Sequence, residues 1–179
     1  DFEKETGTPM LLDTFDSADV MQSKLMVGRS GYDVAVVTNS ALPNLIKAGV
    51  LKELDNSQLS NRSNLDPDIL AKVAQNDPGN RYSIPYLWGT TGIGYDVDQV
   101  KKIFGDETPA DSWDLIFKEE NIKKLSQCGV AMLDSPSEII PITLHYLGLP
   151  PDSSNPEDYA KAEALLLKIR PYITYFDSS

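Results

Sequence analysis

The stretch that most constrains this chain is Val34-Ala-Val-Val37, four apolar residues in a row between Gly31-Tyr-Asp33 and Thr38-Asn39-Ser40. A strand with one solvated face alternates apolar and polar side chains. An unbroken apolar run predicts burial on both faces, as in a parallel sheet. Helical patterns flank the run. Pro9-Met-Leu-Leu-Asp-Thr14 predicts a short strand, after which Asp16-Ser17 caps a helix with Val20, Met21, Leu25 and Met26 along one face. A second helix, from about 40 to 48, ends at Gly49. This strand–helix–strand–helix order places the chain in the α/β class.

Asp66-Pro67 opens a helix reaching about residue 75, ahead of the turn-rich Asn76-Asp-Pro-Gly-Asn80. Tyr82-Ser-Ile-Pro-Tyr-Leu-Trp88 then runs extended into Gly89-Thr-Thr-Gly-Ile-Gly-Tyr95. Two extended stretches around small residues predict a chain crossing between two lobes, glycine and threonine permitting close approach. Further helices are predicted over 97–104, after Ser112 as an N-cap, and over 119–127. Val130 to Leu133 predicts a buried strand. Pro156 opens a long helix to Ile169, stopped at Pro171, and Ile173-Thr-Tyr-Phe176 is strand-like. At the other end, Asp1-Phe-Glu-Lys-Glu-Thr-Gly7 reads as the last turns of a helix. A chain that opens inside a helix carries the expectation of being an excerpt.

Sixteen Lys and Arg stand against 27 Asp and Glu, a net charge of -11. Nucleic acid and anionic membranes demand basic surfaces, so neither is an expected partner. The acidic excess is compatible with a cationic ligand. Catalytic chemistry finds few groups to use. His145 is the one histidine, in the apolar Ile142-Thr-Leu-His-Tyr-Leu147, which predicts a packed or surface role. Cys128 is the one cysteine, without a metal-binding spacing, and reads as a small core residue. Gly92-Ile-Gly94 lacks the third glycine of a dinucleotide fingerprint. No enzyme, metal or cofactor is expected.

The best ligand-directed signal is Ser135-Pro-Ser-Glu138-Ile-Ile, at the junction between the predicted strand and the helix that Pro136 opens. That position puts the Glu138 carboxylate at the carboxyl edge of a strand, where α/β folds hold ligands. Ser135-x-x-Glu138 also fits a capping box, in which Glu138 only satisfies a free backbone N–H. Thr38, Asn39 and Ser40 follow the Val34–Val37 run and are candidate polar contacts, turn and cap chemistry being the alternative for Asn39 and Ser40. Tyr86, Trp88 and Tyr95 offer cation–π faces, with core packing as the favoured reading.

Taken in order, Phe2-Glu-Lys-Glu-Thr-Gly7, Phe15-Asp-Ser17, Lys24-Leu-Met26, Tyr32-Asp-Val34, Asn64-Leu-Asp-Pro67, Pro85-Tyr-Leu-Trp-Gly-Thr-Thr-Gly-Ile-Gly-Tyr95, Asp111-Ser-Trp-Asp-Leu115, Cys128-Gly-Val130 and Tyr146-Leu-Gly148 resemble the periplasmic polyamine-binding proteins of bacterial ABC transporters. The resemblance spans essentially the whole chain. It implies a type II periplasmic-binding-protein fold of two α/β lobes joined by crossing strands, with residues 1–87 part of lobe 1 and 88–179 part of lobe 2. The implied function is an extracytoplasmic receptor that binds putrescine or spermidine between the lobes and delivers it to an ABC importer. A receptor for another small solute, or a polyamine sensor, is the alternative.

By the same resemblance Glu138 matches the glutamate that binds an amine, and Thr38 the small hydroxyl residue that contacts ligand. Ser40 and Ser135 match positions that can be aromatic and acidic in spermidine-preferring members, so serine at both leans toward putrescine. The resemblance also implies a permease partner, a monomer and a periplasmic location. The family's opening strand and its C-terminal remainder lie outside these residues, so half a site is expected here. A diamine needs an anionic acceptor at each end, because a buried unpaired ammonium costs several kcal/mol.

Overall fold

In the computed structural model, which describes residues 1–105, 109 and 111–178, the chain falls into two units, Asp1–Trp88 and Gly89–Ser179. The first opens with helix α1, Phe2–Thr6, ended by Gly7 in the left-handed region at φ 70°. Helix α2, Ala18–Met26, starts where the Ser17 hydroxyl accepts a bond from the Val20 N–H at 3.3 Å. A 3-10 turn, Asn39–Ala41, leads into α3, Leu42–Lys47. Met21, Leu25, Ala41 and Leu45 form this unit's core, with Phe15, Tyr32, Ala35 and Val37 packed against it. Val20 and Met26 are exposed, so the apolar face of α2 is narrower than its sequence predicts.

The Val34–Val37 run departs from expectation. Ala35 and Val37 face the core, whereas Val34 is 87% and Val36 58% exposed. Burial on both faces requires neighbouring strands and a layer on each side; among the described residues this unit has no strand ladder, and its core covers only the Ala35 and Val37 side. Met10, Leu11 and Leu12 are exposed for the same reason, and residues 9–14 join no ladder. Tyr82 to Tyr95 also carries no ladder. The core-packing reading fails there: Tyr86 is 75% and Trp88 77% exposed, and Tyr95 is exposed as well.

Polar bonds organise the rest of the first unit. Helix α4, Pro67–Val73, begins at Asp66, whose carboxylate accepts the Asp68 and Ile69 N–H groups at 2.8 and 3.1 Å. Beyond it the chain wraps around the fully buried Asp77. One Asp77 oxygen accepts the Arg81 N–H; the other accepts the Tyr82 and Ser83 N–H groups and the Ser83 hydroxyl, all within 2.8–3.0 Å. The turn needs two left-handed residues, supplied by Gly79 at φ 77° and Asn80 at φ 48°. Arg81 also grips Glu53 through two bonds of 2.7 and 2.6 Å.

In the second unit, helices α5 (Val97–Phe104), α6 (Asp114–Phe117) and α7 (Glu119–Leu125) precede strand β1, Ala131–Leu133. Then come α8 (Pro136–Tyr146), α9 (Pro156–Ile169), a 3-10 turn Arg170–Tyr172 and β2 (Tyr175–Asp177). The two strands pair in parallel, Ala131 opposite Tyr175 and Leu133 opposite Asp177. A parallel pair needs a crossover, and α8 with α9 provides it. The core gathers Leu115, Phe117, Ile122, Val130, Met132 and Ile169, among others. Within β1 only Met132 is buried, since the sheet has a single partner strand. Cys128 is exposed, in the turn that closes α7 ahead of β1, rather than in the core. His145 lies exposed near the end of α8. Between the sheet, α8 and α9 lies an apolar groove of about 800 Å3, lined by Met132, Ile139, Tyr159, Leu166, Leu167 and Phe176. Among the described residues no helix is long and apolar enough to cross a membrane.

Candidate functional site

The strand-to-helix junction after β1 is built as the sequence predicts. The ladder runs one residue past β1, where the Asp134 N–H donates to the Asp177 carbonyl at 3.2 Å. Ser135 is the N-cap residue, in extended conformation, and Pro136 occupies the first turn of α8. Proline suits that place because its missing N–H has no helical acceptor there. Glu138 therefore sits in the first turn, half-buried, at the carboxyl end of a parallel strand.

Among the described residues the capping box does not form. The Ser135 side chain makes no cap bond to the helix; it is buried, with its hydroxyl 3.1 Å from that of Ser137. The Glu138 carboxylate is held from another part of the chain. Thr91 Oγ1 donates to Glu138 Oε2 at 2.6 Å, across 47 residues of sequence. Among the described residues this is the carboxylate's hydrogen-bond partner. A carboxylate has about four acceptor sites, so most of its capacity is left for a cation. The helix N-terminus behind it favours negative charge.

Sequence reasoning missed Thr91. It lies in Gly89-Thr-Thr-Gly92, read only as small residues permitting close approach. A hydroxyl between glycines was the available signal, but nothing local says which threonine faces a glutamate.

In the first unit, Thr38 is half-buried and ends the Val34–Val37 stretch. It is the N-cap residue of the 3-10 turn, with φ -73° and ψ 148°, and its side chain makes no cap bond. The Ser40 hydroxyl donates to Thr38 Oγ1 at 3.2 Å, and Ser40 itself is exposed. The structure thus brings Ser135 and Glu138 together at one helix start, and Thr38 and Ser40 together at another. Among the described residues, the rings with a cationic side chain over them are Tyr32, Tyr82, Phe104 and Phe176, not Tyr86, Trp88 or Tyr95.

All 179 residues match the family described as bacterial extracellular solute-binding proteins. The chain belongs to that family. This solute-binding family includes a putrescine/agmatine-binding protein of Pseudomonas aeruginosa that is 68% identical, over 99% of this chain and 48% of that protein. A putrescine-binding periplasmic protein of Escherichia coli is 50% identical over the same shares. Among solved structures, a spermidine/putrescine ABC transporter protein from Listeria monocytogenes superposes with a TM-score of 0.80 at 32% identity, covering 98% of this chain and 51% of that one. The chain therefore spans about half the length of the curated relatives it matches. The family's periplasmic-binding-protein fold is shared, and within these residues it takes a helix-rich form with one small sheet.

Proposed function

We propose that this chain is part of an extracytoplasmic, periplasmic receptor that binds putrescine or spermidine and hands it to an ABC importer, with no chemical step. Glu138 carries the proposal. It is a half-buried carboxylate at a strand-to-helix junction, with one oxygen engaged by Thr91 and room to accept an ammonium. Thr38, Ser40 and Ser135 are the polar contacts that accompany it. Serine at 40 and 135 favours putrescine over the longer spermidine. The two units are the parts of the two lobes, the receptor acts as a monomer, and its partners are the amine and the permease, not nucleic acid. The relatives named as a putrescine/agmatine-binding protein and a putrescine-binding periplasmic protein support this reading.

Replacing Glu138 by Gln keeps shape and removes charge. Loss of one charge-assisted bond in a desolvated site costs about 2–3 kcal/mol, or roughly 30- to 150-fold in affinity. Calorimetric titration of the full-length protein with putrescine and spermidine measures this directly. Unchanged affinity for both amines in Glu138→Gln would reject the assignment, and binding of an uncharged solute instead would point to a different receptor.

A further inference from the structure

We propose that Thr91 is a positioning residue for amine recognition: its hydroxyl holds the Glu138 carboxylate in the orientation that receives an ammonium. The inference rests on the assignment of Glu138 as amine acceptor and adds to it the group that sets its geometry. A glutamate side chain has three rotatable bonds, and one on the first turn of a helix samples several rotamers. Ordering it on ligand binding costs entropy unless something has ordered it beforehand. Thr91 does so. Its Oγ1 lies 2.6 Å from Glu138 Oε2 in a half-buried setting, the short distance of a hydroxyl donating to an ionised carboxylate. Threonine is branched at Cβ, which restricts its first torsion and makes the hydroxyl a fixed post.

The division of labour between the two oxygens follows. Thr91 has one proton to give and gives it to Oε2, which leaves Oε1 and the remaining lone pair of Oε2 for the ligand. Because Thr91 is itself neutral, it orients the carboxylate without cancelling the charge an amine needs. A lysine or arginine in its place would compete with the ligand. The open space a Cβ would meet at Gly89 and Gly92 leaves the Thr91 hydroxyl uncrowded, and Ile93, two residues on, packs against the core cluster and anchors the segment.

The test is calorimetric titration of the full-length protein with putrescine, using Thr91→Val, Thr91→Ala, Thr91→Ser, Glu138→Gln and the Thr91→Val/Glu138→Gln double variant. Removing the hydroxyl, with Val or with Ala, is expected to weaken binding about 5- to 10-fold. Thr91→Ser keeps the donor and should come back to within about two-fold of the parent. In the Glu138→Gln background, Thr91→Val should add less than about two-fold, because both changes act on one carboxylate. If Glu138→Gln weakens binding but Val and Ala at 91 leave it intact, the positioning role is overturned and the receptor reading stands. Full additivity in the double variant, or failure of serine to rescue, also overturns it. If Glu138→Gln itself changes nothing, it is the functional reading that falls.

Discussion

Asp77 does at one residue what a hydrophobic cluster does elsewhere in this chain. Its carboxylate is fully buried and accepts four hydrogen bonds from Arg81, Tyr82 and Ser83, so the backbone from 81 to 83 folds around it. Three of the four bonds converge on Oδ2. In Asp77→Asn the amide nitrogen would take one oxygen's place and present donors where donors already point. Leaving buried N–H groups unmatched should cost on the order of 2–3 kcal/mol, measurable as a fall in urea midpoint without a change in slope. Faster hydrogen exchange at the Tyr82 and Ser83 amides would localise the effect, and an unaltered midpoint would show that the network contributes nothing. The sequence marks Asn76-Asp-Pro-Gly-Asn80 as a turn, but not that one of its polar residues is the centre of a buried network.

Helix α8 is tied down at both ends. At its start, Glu138 is held by Thr91. At its end, Tyr146 packs its ring 4.9 Å from that of Phe117 and donates its hydroxyl to Asp114 at 2.8 Å. Burial, and then the bond to and charge of Asp114, push the Tyr146 phenol from 10.0 up to about 12. The folded protein therefore favours the protonated phenol more than the unfolded chain does. That contribution is fully present below pH 10 and is lost as pH rises through about 12. Tyr172, raised by its bond to Glu119, works in the same direction. Chemical denaturation followed between pH 9 and 12 should show falling stability, with a shallower fall in Tyr146→Phe. At neutral pH the same variant should lose about 1 kcal/mol. A pH profile identical in parent and variant would exclude Tyr146 as the group responsible.

Viewed as a whole, the molecule keeps much apolar surface in contact with water. Leu11, Leu12, Val34, Leu87 and Trp88 are all well exposed, and the groove between the sheet, α8 and α9 is largely apolar. Contiguous exposed apolar surface promotes association. Produced as these 179 residues alone, the chain should bind a hydrophobic dye such as ANS and self-associate as concentration rises, which sedimentation velocity would detect. A monomer that binds no dye up to the highest concentration tested would contradict this. Val34 and Val36 explain why the expectation of two buried faces failed here: periodicity reports which residues prefer burial, not whether covering layers are at hand.

What the sequence determined by itself is chiefly local. Ser17, Asp66 and Gly7 mark helix ends because a cap acts within two to four residues, and the α5 and α9 boundaries follow the same short-range rules. The position of Glu138 at a strand-to-helix junction was legible too, because Pro136 and the apolar run before it are adjacent in the chain. Only the tertiary structure decided what the Glu138 carboxylate does there. The capping box and the bond to Thr91 compete for the same oxygens, and the outcome depends on bringing together groups 47 residues apart. The same holds for the parallel pairing of β1 with β2, and for Asp114 beneath Tyr146. Contacts of that span are set by how helices and strands pack, and no local pattern of residue types encodes them.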